Sequence, residues 1–112
     1  MAVVYVDQEE WLKRMMNNKK LYIKLLTKFR NEINLSELLR AVEAKDCNKA
    51  EEAAHTIKGV SGNLSFTALY EKSAALDAQL KNNIIDMDAV DDIVNCFNET
   101  QKVIDGVLAA NG

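Results

Sequence analysis

Proline is absent from the chain, and glycine occurs four times, at Gly59, Gly62, Gly106 and Gly112. A fold built on many tight turns draws on both residues, so sandwiches and barrels of short strands are disfavoured. The two cysteines, Cys47 and Cys96, stand far apart. Without close spacing they read as reduced thiols of a cytoplasmic protein, with a disulfide as the lesser alternative. Histidine occurs once, at His55. No apolar run approaches the 18 or so residues of a membrane span. The first eleven residues lack the charged start and long apolar stretch of a secretory signal. No G-x-x-x-x-G-K loop is present, so no nucleotide site is expected. The 14 basic residues are dispersed in a chain of net charge −3. Nucleic acid is therefore not the expected partner, because a phosphate backbone calls for a basic stripe. Neither is a membrane.

What remains is a helix-forming composition. Hydrophobic residues make up 48% of the 112 residues. Leu, Ala, Glu and Lys are abundant, and all four favour helix. One domain is expected over residues 1–112. Five amphipathic segments follow one another with short connections. The first covers residues 7–16, with Asp7 and Glu10 at capping-box spacing and Trp11, Leu12, Met15 and Met16 as its apolar face. The second covers residues 19–45. Its stripe of Leu21, Leu25, Leu26, Phe29 and Ile33 gives way to a rotated stripe of Leu35, Leu38, Leu39 and Val42. Asn34 and Glu37 stand between them at capping-box spacing, so the segment is either one kinked helix or two helices in sequence.

The third segment begins at Asp46, a plausible N-cap, and reaches Leu64. Ser65 is the expected N-cap of the fourth, whose inner stripe is Phe66, Leu69, Tyr70, Ser73, Leu76 and Leu80. The fifth begins near Asp86 or Asp88 and carries Met87, Val90, Val94, Phe97, Ile104 and Leu108. The expected fold is all-α: an antiparallel four-helix bundle with a short additional N-terminal helix.

The third segment carries the chemistry. At about 100° per residue, Ala50, Ala53, Ile57, Val60 and Leu64 gather opposite His55 and define the core face. Asn48, Glu51, Glu52, Lys58, Gly59 and Gly62 lie on the His55 side. His55 should therefore point to solvent. A lone histidine there is ordinarily just surface. Two neighbours argue for more. Gly59, one turn on, costs about 1 kcal/mol against alanine in an exposed helix, and it faces away from Ile57, where no helix crossing needs it. Lys58 places an ammonium one turn from the ring. Glu51 and Glu52, one turn before it, receive no firm role.

His55-Thr56-Ile57-Lys58-Gly59, preceded by Ala53-Ala54 and followed by Ser61-Gly62-Asn63-Leu64, resembles the signature of histidine-containing phosphotransfer domains. Leu25, Leu26 and Phe29 before it, and Leu69, Leu76 and Asp77 after it, are also similar to the family. The resemblance implies a four-helix bundle of a two-component phosphorelay, monomeric by default. His55 would be the phosphoacceptor, Lys58 the cation facing the phosphate, and Gly59 and Gly62 the small residues that admit the partner. The partners implied are response-regulator receiver domains, with a hybrid sensor kinase as a further candidate. No cofactor is expected in this chain, and Mg is expected in the receiver. The sequence departs from the family at Ser65, where glycine is usual, and at Asp77, where relatives often carry glutamine or glutamate.

Two other readings compete, and a third has no support. A helical adaptor would bind receivers without transferring phosphate. A ferritin-like di-metal enzyme is suggested by Glu52 and His55 as E-x-x-H, but needs a second such motif and more glutamates. A thiol hydrolase would pair Cys47 with His55, yet the two lie about 12 Å apart along one helix.

Overall fold

The computed structural model describes residues 3–111; Met1, Ala2 and Gly112 lie outside the described residues, and with them the ends of the expected domain. Six helices follow in order: α1 (Gln8–Arg14), α2 (Lys19–Phe29), α3 (Asn34–Glu43), α4 (Cys47–Asn63), α5 (Thr67–Lys81) and α6 (Met87–Asn111). No strand occurs among the described residues. The long second segment is thus two helices, broken at residues 30–33. α3 packs on α4, α4 on α5, α5 on α6, and α2 on α6. Together α2 and α3 fill one position of a four-helix bundle, closing the ring between α4 and α6.

Local chemistry sets most helix starts. The Asp7 carboxylate accepts from the Glu10 amide, Asn18 from that of Leu21, and Asp46 from that of Lys49. Asp86 accepts from the amides of Asp88 and Ala89. Each occupies otherwise unpaired donors of a first helical turn. Two starts differ from expectation. Asn34 is already helical, and its amide is held from outside by the Glu32 carboxylate at 3.0 Å. Ser65 does not cap α5; Phe66 takes that position without a side-chain bond.

Ser65 instead ends α4. Its φ is 59°, the Ser65 amide donates to Gly62, and the Phe66 amide donates to Ser61 at 2.8 Å. This pair of bonds is a Schellman motif, with Ser65 at the left-handed position that usually belongs to glycine. α1, α3 and α5 end in the same way, with Met16, Lys45 and Asn83 at φ of 54°, 56° and 59°. The turns thus work without glycine, and no described glycine has a positive φ.

Trp11 of α1 and Tyr22 of α2 are buried with their ring centroids 4.5 Å apart. Phe29 packs on Phe66 at 4.8 Å and on Phe97 at 5.3 Å, tying α2 to the α4–α5 turn and to α6. The Arg14 guanidinium donates to the Ser65 hydroxyl at 2.8 Å and the Asn63 carbonyl at 3.1 Å. The Ser65 hydroxyl in turn donates to the Glu10 carboxylate. α1 is thereby fastened over the α4–α5 turn. Some stripe residues fall outside the core: Met16, Ile33 and Met87 are all more than half exposed. Each sits at or just beyond a helix end, where the helical face no longer dictates direction.

Candidate functional site

α4 buries Ala50, Ala53, Ala54, Ile57 and Ser61 and leaves Asn48, Glu52, His55 and Gly59 exposed. The core face lies where the sequence places it, turned somewhat toward Ala54 and Ser61. That rotation brings one flank of the polar face, with Glu51, Lys58 and Gly62, into partial burial. α5 is the helix that packs most closely on α4.

The His55 side chain is 63% exposed. Its Nδ1 lies 3.8 Å from Oδ2 of Asp77, on α5. The same oxygen lies 3.8 Å from Nζ of Lys58 and 3.3 Å from Nζ of Lys81. Lys81 also approaches Glu51, with Nζ 3.9 Å from Oε1. The Asp77 side chain is buried beneath these groups, and its other oxygen, Oδ1, has no hydrogen-bond partner among the described residues. Burial pushes the Asp77 carboxyl up. Side-chain hydrogen bonding with Glu51 and Lys81, and the Lys81 and Lys58 charges, outweigh it and hold the group below the usual carboxylate range.

Glu51, His55 and Asp77 bring ligand atoms within 4.8 Å of one another, so they could offer three donors to a divalent ion. Lys58 and Lys81 already sit at Asp77, however, and a cation would have to displace them. The arrangement is a charge-balanced ion-pair cluster beside an exposed imidazole.

The two glycines differ. A Cβ at Gly59 would meet nothing within 4 Å, so the surface beside His55 is open there. A Cβ at Gly62 would stand 3.2 Å from two ring carbons of Tyr70. Gly62 thus has a structural reason inside the molecule, the close approach of α5.

Two buried nucleophiles are muted. Burial pushes the Cys96 thiol up. The Tyr22 phenol is pushed up to about 12 by burial, with the Asp7 and Glu10 charges adding to it. The exposed imidazole is the nucleophile on the polar face of α4, while the partly exposed Cys47 thiol stands at the first turn of the same helix, about two turns away.

The structure thus brings His55 and Lys58 together, with Gly59 open beside them. Sequence reasoning missed Lys81, and noticed Asp77 as a departure without placing it under the ring. A signal was present: Asp77 lies four residues after Ser73 and three before Leu80, on the inner stripe, and Lys81 is one turn further on.

The family model described as the Hpt domain matches residues 24–109. The chain belongs to this family, whose members act as histidine phosphotransfer carriers in phosphorelays and work with response-regulator receiver domains. No curated protein and no solved structure matches the chain. The match begins within α2, so α1 lies outside it. No helix among the described residues is long and apolar enough to cross a membrane.

Proposed function

We propose that this domain accepts a phosphoryl group on His55 from the aspartyl phosphate of one receiver domain and passes it to another. The observation that carries this reading is the exposed imidazole on the polar face of α4, flanked by the Lys58 ammonium and the open surface at Gly59. A neutral imidazole is a competent nucleophile near neutral pH. With Nδ1 turned toward Asp77, Nε2 lies on the far side of the ring as the attacking atom. As the Nε2–P bond forms, the P–O bond to the aspartyl group breaks and its electron pair leaves with the carboxylate. The ring then carries positive charge and the phosphoryl group about two negative charges. Lys58 offers an ammonium to those charges, and Lys81 stands within reach as a second. Positioning and charge stabilisation are what phosphoryl transfer asks of a protein. The receiver, with its own Mg, supplies the remaining groups; this chain contributes no nucleotide loop.

The test is label transfer from a panel of phosphorylated receiver domains to the wild type and to His55→Gln. Acid-labile, alkali-stable label on the wild type and none on the variant is the expected result. A folded wild type that binds receivers yet takes no label from any of them would favour a receiver-binding adaptor. Label persisting in the variant would place the site elsewhere.

A further inference from the structure

The buried carboxylate under the ring is the least ordinary feature of the site, because burying a charge is costly unless something uses or balances it. We infer that Asp77 is a positioning residue that keeps a proton on Nδ1 of His55, and so makes the phosphorylated ring a rapid donor instead of a stable store. The inference rests on the reading of His55 as the phosphoryl carrier.

Oδ2 of Asp77 lies 3.8 Å from Nδ1. This is beyond the roughly 2.7–2.9 Å of a charge-assisted hydrogen bond. The carboxylate is fixed by burial, while the ring is mostly in solvent, so the ring is the partner free to close the gap. Once it does, the neutral ring carries its proton on Nδ1 and its lone pair on Nε2.

After transfer to Nε2, the fate of the Nδ1 proton decides how long the phosphate stays. With the proton kept, the ring is a cation. When the N–P bond breaks, the electron pair returns to Nε2 and a neutral imidazole leaves. With the proton lost, the same bond cleavage would expel an imidazolate, a far poorer leaving group. A carboxylate at Nδ1 favours the protonated form, because an opposite charge nearby stabilises a cation.

The other charges facing the ring are compatible with this. On α4 these are Glu51 and Lys58. On α5 it is Lys81. Both lysines oppose a ring cation while they sit at Asp77, and both are drawn to the phosphoryl oxygens once these arrive. On the flank nearest α3, Glu37 and Arg40 face Lys49 and Glu52 across a separate cleft.

The test needs no receiver. Wild type, Asp77→Asn and Asp77→Glu are phosphorylated with phosphoramidate, and loss of phosphate is followed from about pH 5 to about pH 9, the range in which a histidine ring exchanges its proton. Circular dichroism checks that each variant is folded. In Asp77→Asn, the pH at which the phosphate becomes stable should fall by about one unit, and loss on the alkaline side should slow about tenfold. Asp77→Glu should restore the wild-type profile. Coincident profiles for wild type and Asp77→Asn would overturn the inference. In parallel, the 15N shifts of His55 in the unphosphorylated wild type should report the Nδ1–H tautomer; a predominant Nε2–H tautomer would overturn it without any variant. Failure of phosphoramidate to label His55 would count against the carrier reading as well. The Nε2–H tautomer together with normal labelling would remove this inference alone.

Discussion

Gly59 and Gly62 look alike in the sequence, three residues apart on one helix face, but the structure separates their roles. Gly62 leaves room for the Tyr70 ring, whereas an added Cβ at Gly59 would stand in open space. Helix propensity alone predicts that Gly59→Ala stabilises the isolated domain by about 0.5–1 kcal/mol. A raised urea midpoint at unchanged slope is the measurement. If Gly59 keeps the approach to His55 clear, the same methyl group should slow transfer from a phosphorylated receiver by about tenfold, through misplacement of the reacting groups. Labelling by phosphoramidate, a far smaller donor, should be unaffected. A variant that is more stable and transfers at the wild-type rate would show that no partner passes over this glycine. The direction of His55 was legible because the 3.6-residue period of α4 is strong: Ala50, Ala53, Ile57 and Leu64 are all buried as the face analysis requires. The place of Asp77 on the inner stripe of α5 was legible, but not its place under the ring, because period alone leaves open which flank of α5 meets α4. Its burial follows from that contact, and an acidic residue on an apolar stripe is easily assigned to the surface.

At the scale of the helix, starts were easier to read than stops. Asp7, Asp46 and Asp86 cap helices where their side-chain chemistry suggests. The stops lacked their usual marker, since a Schellman motif is normally read from its glycine. Here Met16, Lys45, Ser65 and Asn83 occupy that position. The assignment of Ser65 to an N-cap arose from this substitution: a serine between two helical patterns suggests a cap, and only the glycine usual at this position in the family pointed to a left-handed turn. Met16 offers the cleanest test, because its side chain is 91% exposed and leaves the core untouched. A left-handed conformation costs a residue with a side chain roughly 1–2 kcal/mol, and glycine nothing comparable. Part of that gain is offset by the greater freedom of glycine in the unfolded chain. Met16→Gly should therefore stabilise the protein by about 0.5–1 kcal/mol in urea titration. Loss of stability would mean that Met16 adopts its turn for a reason other than backbone geometry. Ser65 is not an equivalent test, because its hydroxyl links Arg14 to Glu10 and holds α1 against the α4–α5 turn. A glycine there would relax the backbone and release that link together.

Across the whole molecule, the ion-pair cluster beside His55 also joins the two helices that pack most closely, α4 and α5. Asp77 comes from α5 and Lys58 from α4, while Lys81 reaches from α5 to both Asp77 and Glu51. Its contribution should depend on pH in one direction. The Asp77 carboxyl is held below its ordinary value of 3.8 in the folded protein. Below that value the unfolded chain takes up this proton before the folded one does, so acid favours unfolding. The stabilisation from Asp77 is therefore complete above about pH 4 and is lost as the pH falls through the folded value. Urea midpoints measured from neutral pH down to about pH 3 should show the gap between wild type and Asp77→Asn narrowing on the acid side. A gap of constant width would mean that the ionised carboxylate contributes nothing beyond what asparagine supplies. The lysine partners differ in what they can contribute: Lys81 is the nearer to Asp77, at 3.3 Å against 3.8 Å, but is more than half exposed, and solvent weakens its pairing, whereas Lys58 is partly buried. Both lysines hold the Asp77 carboxyl down, Lys81 ahead of Lys58, so the pH-sensitive energy should be shared between the two links. Phosphorylation of His55 would draw Lys58 from one anion to the other, so the phosphorylated domain should show a weaker dependence on Asp77 than the free one.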